Sequence, residues 1–239
     1  MSRLTGNVAE LPMAEFDMEG TAEVFRRAME AMAGASQLPL TRVKVPAGGG
    51  RSFELPGMTA DEPIVTARLE GAVLASAFVN AWWARDYGEG PNSAPDCAST
   101  DGISGWDSDG LEHVCRTCPK NRMGSKDGGR GKACRNMVQL LILLEGEALP
   151  IELRAPTMSV GNWQSYVARQ LVPRGLTPSQ VVTRFTLAKA TNSVGQDYSQ
   201  VQFQAVGRVD DGQAASLLAA VKPMIAPTMG ALLTEGEEA

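Results

Sequence analysis

Histidine is almost missing from this chain: His113 is the only one in 239 residues. An open, catalytic zinc site draws at least one ligand from histidine in its common forms, and usually more than one. No paired carboxylates flank the cysteines in a recognised catalytic pattern either, so the expectation is a protein that is not an enzyme. Aromatic residues are scarce, at 5%, while there are 25 glycines and 14 prolines. That balance argues against a helical bundle and for short strands joined by many turns. A general excess of positive charge is missing too. The net charge is −5 and the pI about 5.1, which excludes a uniformly basic polyanion binder. Long apolar runs are absent: no stretch reaches the roughly 20 residues that a membrane helix needs. The opening residues Met1–Pro12 lack the apolar core of a secretory signal. The expected location is the cytoplasm, with no membrane partner.

Four cysteines are present: Cys97, Cys115, Cys118 and Cys134. Seventeen residues separate the first two, two separate Cys115 from Cys118, and fifteen precede Cys134. In a reducing compartment such spacing favours a metal over disulfides. A Cys-x-x-Cys turn presents two thiolates to one ion, and two flanking thiolates complete the tetrahedron of a structural Zn2+. The residues between are small, polar and rich in glycine, so a metal would supply folding energy that they cannot. Two alternatives stand beside this. His113 could replace Cys97 as a ligand, and Cys115-x-x-Cys118 alone could be a redox pair. The second lacks the βαβ pattern of a thioredoxin-like motif. A nucleobase-deaminase zinc is not matched, because Glu112 and His113 are adjacent and Val114, not proline, precedes Cys115.

Positive charge gathers in the same region. Arg116, Lys120, Arg122, Lys126, Arg130, Lys132 and Arg135 face only Asp127 between residues 116 and 135. Glycines 124, 128, 129 and 131 are interleaved with them. Such a loop can approach a phosphate backbone, although a merely solvated basic loop has the same composition. Stacking aromatics would complete a single-strand binder. The candidates for contact are Lys120, Arg122, Lys126, Arg130, Lys132 and Arg135 with Trp82, Trp83, Tyr87 and Trp106. Adjacent Trp82 and Trp83 face opposite ways on a strand, so one is expected in the core and one exposed. Trp163 and Tyr166, on a helix face, are expected in the core.

Hydrophobic periodicity places the remaining elements. A short helix spans 20–33, and strand-like segments at 41–45 and 51–55 flank the turn 47–50. Apolar stretches at 64–69 and 72–83 are split by Gly71, which reads as a bulge. Strands follow at 137–144 and 149–153, a helix at 159–171, strands at 181–188 and 200–209, and a helix at 211–221. The predicted fold class is mainly β with a few helices (α+β): an OB-like five-stranded barrel with an inserted zinc-binding loop module. Residues 1–40 form a flexible arm with a short helix. Residues 41–210 form the barrel domain, with the zinc module at 96–135. Residues 211–239 form a closing helix and an acidic tail.

The run Cys115-Arg116-Thr117-Cys118-Pro119-Lys120-Asn121-Arg122-Met123-Gly124-Ser125, followed by Gly129-Arg130-Gly131-Lys132-Ala133-Cys134, resembles a zinc-containing family encoded by bacteriophages and mobile elements. Similarity continues through Leu149-Pro150, Leu153, Ala155-Pro156-Thr157-Met158-Ser159, Tyr166, Val182-Thr183 and Thr186-Leu187, covering about Ile64 to Val209. The resemblance implies an OB-type single-stranded DNA-binding protein of phage replication or recombination, with a structural zinc. The acidic residues 235–238 then suggest a tail for docking replication or recombination proteins. The alternative is a zinc-module interaction factor that acts on a host or phage protein.

Overall fold

The computed structural model describes residues 11–14, 16–31, 40–57, 62–84, 94–126, 128–129 and 131–219. The fold is mainly β, of the α+β class. In chain order it runs β1 (Met13–Ala14), α1 (Met18–Ala31), β2 (Thr41–Val43), β3 (Phe53–Leu55), β4 (Ile64–Thr66), β5 (Arg68–Trp82), β6 (Cys97–Ser99), β7 (Ser104–Asp107), β8 (Glu112–Val114), β9 (Arg135–Leu144), β10 (Ile151–Ala155), α2 (Thr157–Tyr166), β11 (Val181–Thr191), β12 (Asp197–Val209) and α3 (211–219). The expected segments 1–10 and 32–39, Tyr87, Arg130 and the acidic residues 235–238 lie outside the described residues. Among those described, no helix is long and apolar enough to cross a membrane.

Strand β12 shows how the sequence builds the sheet. Ser199, Val201, Phe203, Ala205 and Val209 are buried, while the intervening glutamines Gln200, Gln202 and Gln204 turn outward. This is the period of two that a half-buried strand requires. Strand β9 is instead buried continuously from Val138 to Leu143. Its two faces serve two cores. Val138, Leu140 and Ile142 join Phe53, Leu153, Trp163, Phe185 and Phe203 inside the sheet. Leu141 and Leu143 pack outside it with Phe16, Leu74, Ala214 and Leu217, beneath α3.

Five strands follow the path β10–β9–β5–β11–β12, each pair antiparallel. The long β5 holds them together. Its first residues, Arg68–Ala72, pair β11, most of its length pairs β9, and its last residues, Asn80–Trp82, pair β6. The register shift along β5 falls between Val73 and Ala75, not at Gly71. Gly71 has a different purpose. A Cβ there would lie 2.3 Å from the Leu143 carbonyl oxygen, so glycine is required by the close approach of β9. The break in the apolar run comes earlier, and Ile64–Thr66 leaves to pair with β3.

Among the described strands, β10 and β12 do not pair with each other. β2 lies parallel on the outer edge of β10, and β1 lies parallel on β12. Helix α2 satisfies the exposed backbone between them. Val201 N donates to Ser159 Oγ at 2.9 Å, and Val201 O accepts from Asn162 Nδ2 at 2.9 Å. The inner face of α2 carries Trp163 and Tyr166, both buried as expected. Trp163 meets Phe203 edge-on at 5.3 Å, and the Tyr166 hydroxyl pairs with Thr183 Oγ1 at 2.7 Å. Regular α-helix stops at Tyr166, short of the predicted end. One wider turn, Val167–Leu171, and a tight turn, Val172–Arg174, carry the chain to Gly175. Pro173 has no N–H to extend an α-helical ladder, and Gly175 takes the left-handed conformation (φ 67°) that ends it.

Candidate functional site

The excursion between β5 and β9 is a small sheet added to the end of β5. Its β6, β7 and β8 form a meander of three, four and three residues. Carboxylates shape its turns. Asp101 Oδ1 accepts from Ile103 N at 2.7 Å and Ser104 N at 3.0 Å, and these bonds hold its pKa below the usual carboxylate range. Asp107 Oδ1 accepts from Asp109 N and Leu111 N, while Oδ2 meets His113 Nε2 at 2.7 Å. The contact with His113, first among its causes, depresses the Asp107 pKa as well.

All four cysteines line one cavity of about 290 Å³. Cys97 opens β6, and Cys115 follows β8. The Cys115–Cys118 knuckle is closed by Thr117 N and Cys118 N, both donating to Val114 O at 3.1 Å. A tight turn, Pro119–Asn121, follows, and Cys134 N donates to Lys120 O at 2.9 Å just before β9 begins. The cysteines are unbridged; Cys115 and Cys134 are buried, and Cys97 and Cys118 half-buried. Burial and then the neighbouring thiols push Cys97 up to about 11 and Cys134 up to about 12, with Lys132 pulling Cys134 slightly the other way. Crowded thiols of this kind hold their protons until a cation offsets the charge.

Gly105 is the clearest sign of space held between the sulfurs. A Cβ on it would sit 3.2 Å from Cys97 Sγ and 3.4 Å from Cys115 Sγ. Any larger side chain would fill that gap. Among the described residues, no set of three or more His, Cys, Asp or Glu side chains already has metal-holding geometry. The thiols converge on a shared space without a closed cage. As donors they suit a soft ion such as zinc. His113, the alternative ligand, lines the same cavity, but its Nε2 is engaged by Asp107.

The predicted cations and aromatics divide into distinct environments. Lys120 Nζ lies 4.5 Å from the centre of the Trp82 ring, and the Arg135 guanidinium lies 4.9 Å from that of Trp83. Both tryptophans are half-buried, so the expected split into one core and one exposed ring is not observed. Each ring has a cation against it. Arg122 and Lys126 are exposed, and Trp106 is 42% exposed. Trp163, Tyr166 and Phe203 belong to the core and are removed from any surface role.

Lys132 has a structural position that its charge did not suggest. Its Nζ donates to Asn121 Oδ1 at 3.0 Å and Asn136 Oδ1 at 2.8 Å. Asn136 Nδ2 in turn donates to Asn80 Oδ1 and Asn121 Oδ1, and Asn121 Nδ2 donates to the Cys115 carbonyl at 2.9 Å. This network latches the cysteine knuckle onto β5 and β9. The sequence reading missed it. The available signal was asparagine inside two apolar strands, where that residue is disfavoured without a partner.

Comparison with protein-family models, with characterised proteins and with solved structures finds no match to this chain.

Proposed function

We propose that the chain is an OB-type barrel carrying a zinc-clamped module, and that it binds single-stranded DNA without reading its sequence. The observation that carries this reading is where the cation-rich excursion departs from the sheet. In the path β10–β9–β5–β11–β12, a helix falls between the third and fourth strands in chain order, β10 and β11. The excursion falls between the first and second, β5 and β9. In OB folds, the loop joining the first two strands and the loop joining the last two flank the oligonucleotide face. Exposed Arg122, Lys126 and Arg135 and the half-exposed tryptophans supply the charge and flat surfaces that single-strand binding uses. The acidic net charge is no obstacle, because local charge governs the encounter.

One zinc held by Cys97, Cys115, Cys118 and Cys134 would supply folding energy to the module and no reaction chemistry, since four thiolates fill its shell. The resemblance to phage and mobile-element proteins suggests a role in replication or recombination. The test is a fluorescence titration with a labelled thymidine oligonucleotide at about 50 and about 200 mM salt. Binding should weaken with salt at a logarithmic slope of roughly −0.7 per phosphate neutralised. Absence of binding at low salt, or binding indifferent to salt, rejects the reading.

A second reading rests on a separate observation. Ile103, Leu111, Val114 and Met123 are all exposed on the module. Apolar side chains gathered on a small, ordered unit suit a protein partner. Reversing charge at Arg122 and Lys126 separates the two, because nucleic-acid binding should collapse while an apolar protein contact persists.

A further inference from the structure

Strand register divides the candidate contact residues between the two faces of one sheet. Paired residues on neighbouring strands share a face. Trp82 pairs with Cys97, and Cys97 with Asp107, so all three point to the thiol cavity. Lys120 lies over Trp82 on that side, and Lys132 is engaged there by Asn121 and Asn136. The other face carries a different row. Arg135 pairs with Ala81, Ala81 with Ala98, and Ala98 with Trp106. Arg135 covers Trp83 at 4.9 Å. Two buried alanines therefore lie between exposed Trp106 and the exposed Arg135 that stacks on half-buried Trp83. The ends of the row are three strand spacings apart, on the order of 14 Å. Glu112 pairs with Trp106 and closes the row at the sheet edge.

We propose that the bases of a single-stranded nucleic acid stack on the Arg135–Trp83–Trp106 face, and that Trp82, Lys120 and Lys132 serve the thiol site on the opposite face. This inference rests on the single-strand binding proposed above. The chemistry of the row favours it. Bases stack on aromatic rings and on guanidinium planes alike, so a guanidinium already lying over Trp83 extends the platform. Trp106 and the Arg135–Trp83 stack give two stacking positions along the row, and Arg135 adds a phosphate contact. On the cavity face, the lysines are directed to a ring and to amide oxygens.

The experiment compares the intact protein with Trp106→Ala, Arg135→Gln and Lys120→Gln, using thymidine and uridine oligonucleotides as probes. Folding is checked by circular dichroism and bound zinc by mass spectrometry. Trp106 and Arg135 are exposed, so their variants should fold. Each should weaken binding about tenfold, the lower range for a lost stacking or cation contact. Arg135→Gln should also reduce the salt slope by roughly 0.7. Lys120→Gln should change affinity less than about twofold while hastening zinc loss to a chelator. Glu112→Gln should tighten binding. Equal effects on thymidine and uridine probes support stacking on this face as the shared chemistry, and an effect on one probe alone makes that strand type the ligand. If Lys120→Gln weakens binding and the Trp106 and Arg135 variants do not, the face assignment is overturned and single-strand binding stands. If the intact protein binds neither probe at low salt, single-strand binding itself falls, and this inference with it.

Discussion

The five-strand core and the cysteine excursion are built on opposite terms. Strands β11 and β12 run for eleven and thirteen residues, and their inner positions, Phe185 and Phe203 among them, are buried with Trp163 and Tyr166. Strands β6, β7 and β8 run for three or four residues, and in them Ala98 is the one residue of a buried apolar cluster. Each large side chain buried in the first region contributes about 1.5–3 kcal/mol by leaving water. The second has little to bury and exposes Ile103, Leu111 and Met123. Its order depends on specific polar contacts: carboxylate-capped turns, the asparagine–lysine latch and whatever the thiols hold. A region held by burial tolerates loss of a ligand. A region held by a few directed contacts does not.

The most severe way to separate the two is Cys118→Ala. It should abolish stoichiometric zinc and destabilise the module by several kcal/mol, on the order of a structural metal's contribution. Hydrogen exchange should rise across residues 96–135 while the amides of β11 and β12 stay protected. Unchanged zinc content in that variant would contradict the four-thiol site. The converse is Phe185→Ala, which opens a cavity among fully buried neighbours. A loss of about 3–5 kcal/mol in a denaturant titration is expected, with zinc content unaltered. Were the metal lost as well, the two regions would be one cooperative unit.

Asn136→Ala tests the joint between them. Removing this side chain takes partners from Lys132, Asn80 and Asn121 at once. A cost of about 1–3 kcal/mol is expected, since buried polar groups are left unpaired. Exchange should increase in the knuckle more than in the core. The gentlest probe is alkaline pH. Burial, first, raises the Tyr166 hydroxyl to about 12, against a small opposing effect of the Thr183 hydrogen bond. A raised folded-state value means the folded protein holds the proton more tightly than the unfolded chain does. The resulting stability is complete below about pH 10 and is lost as pH climbs toward 12. Tyr166→Phe should flatten that decline in thermal melts, with no pH-dependent effect near neutrality.

Much of the core was legible because its signals are local. Alternation along 200–209 and the apolar run of 137–144 locate β12 and β9 to within a few residues. The aromatic face of 159–171 identifies Trp163 and Tyr166 as core. Gly71 was misread because its cause is not local: the carbonyl of Leu143, distant in sequence, leaves no room for a Cβ. The surroundings of Lys132 were not legible for the same reason. Its charge suggested a surface contact, but its amide partners come from Asn121 on the knuckle and Asn136 on β9.

Sequence alone determined the kinds of interaction available here: alternating apolar residues that must form sheet, and four thiols and a set of cations confined to one glycine-rich stretch. Composition and periodicity are properties of the chain before it folds, and they limit what can be buried. Tertiary structure alone decided which groups meet. It brought the thiols to one cavity and set Lys120 over Trp82 and Arg135 over Trp83. Such pairings depend on strand register, and register is fixed only when both strands and their shared core are in place.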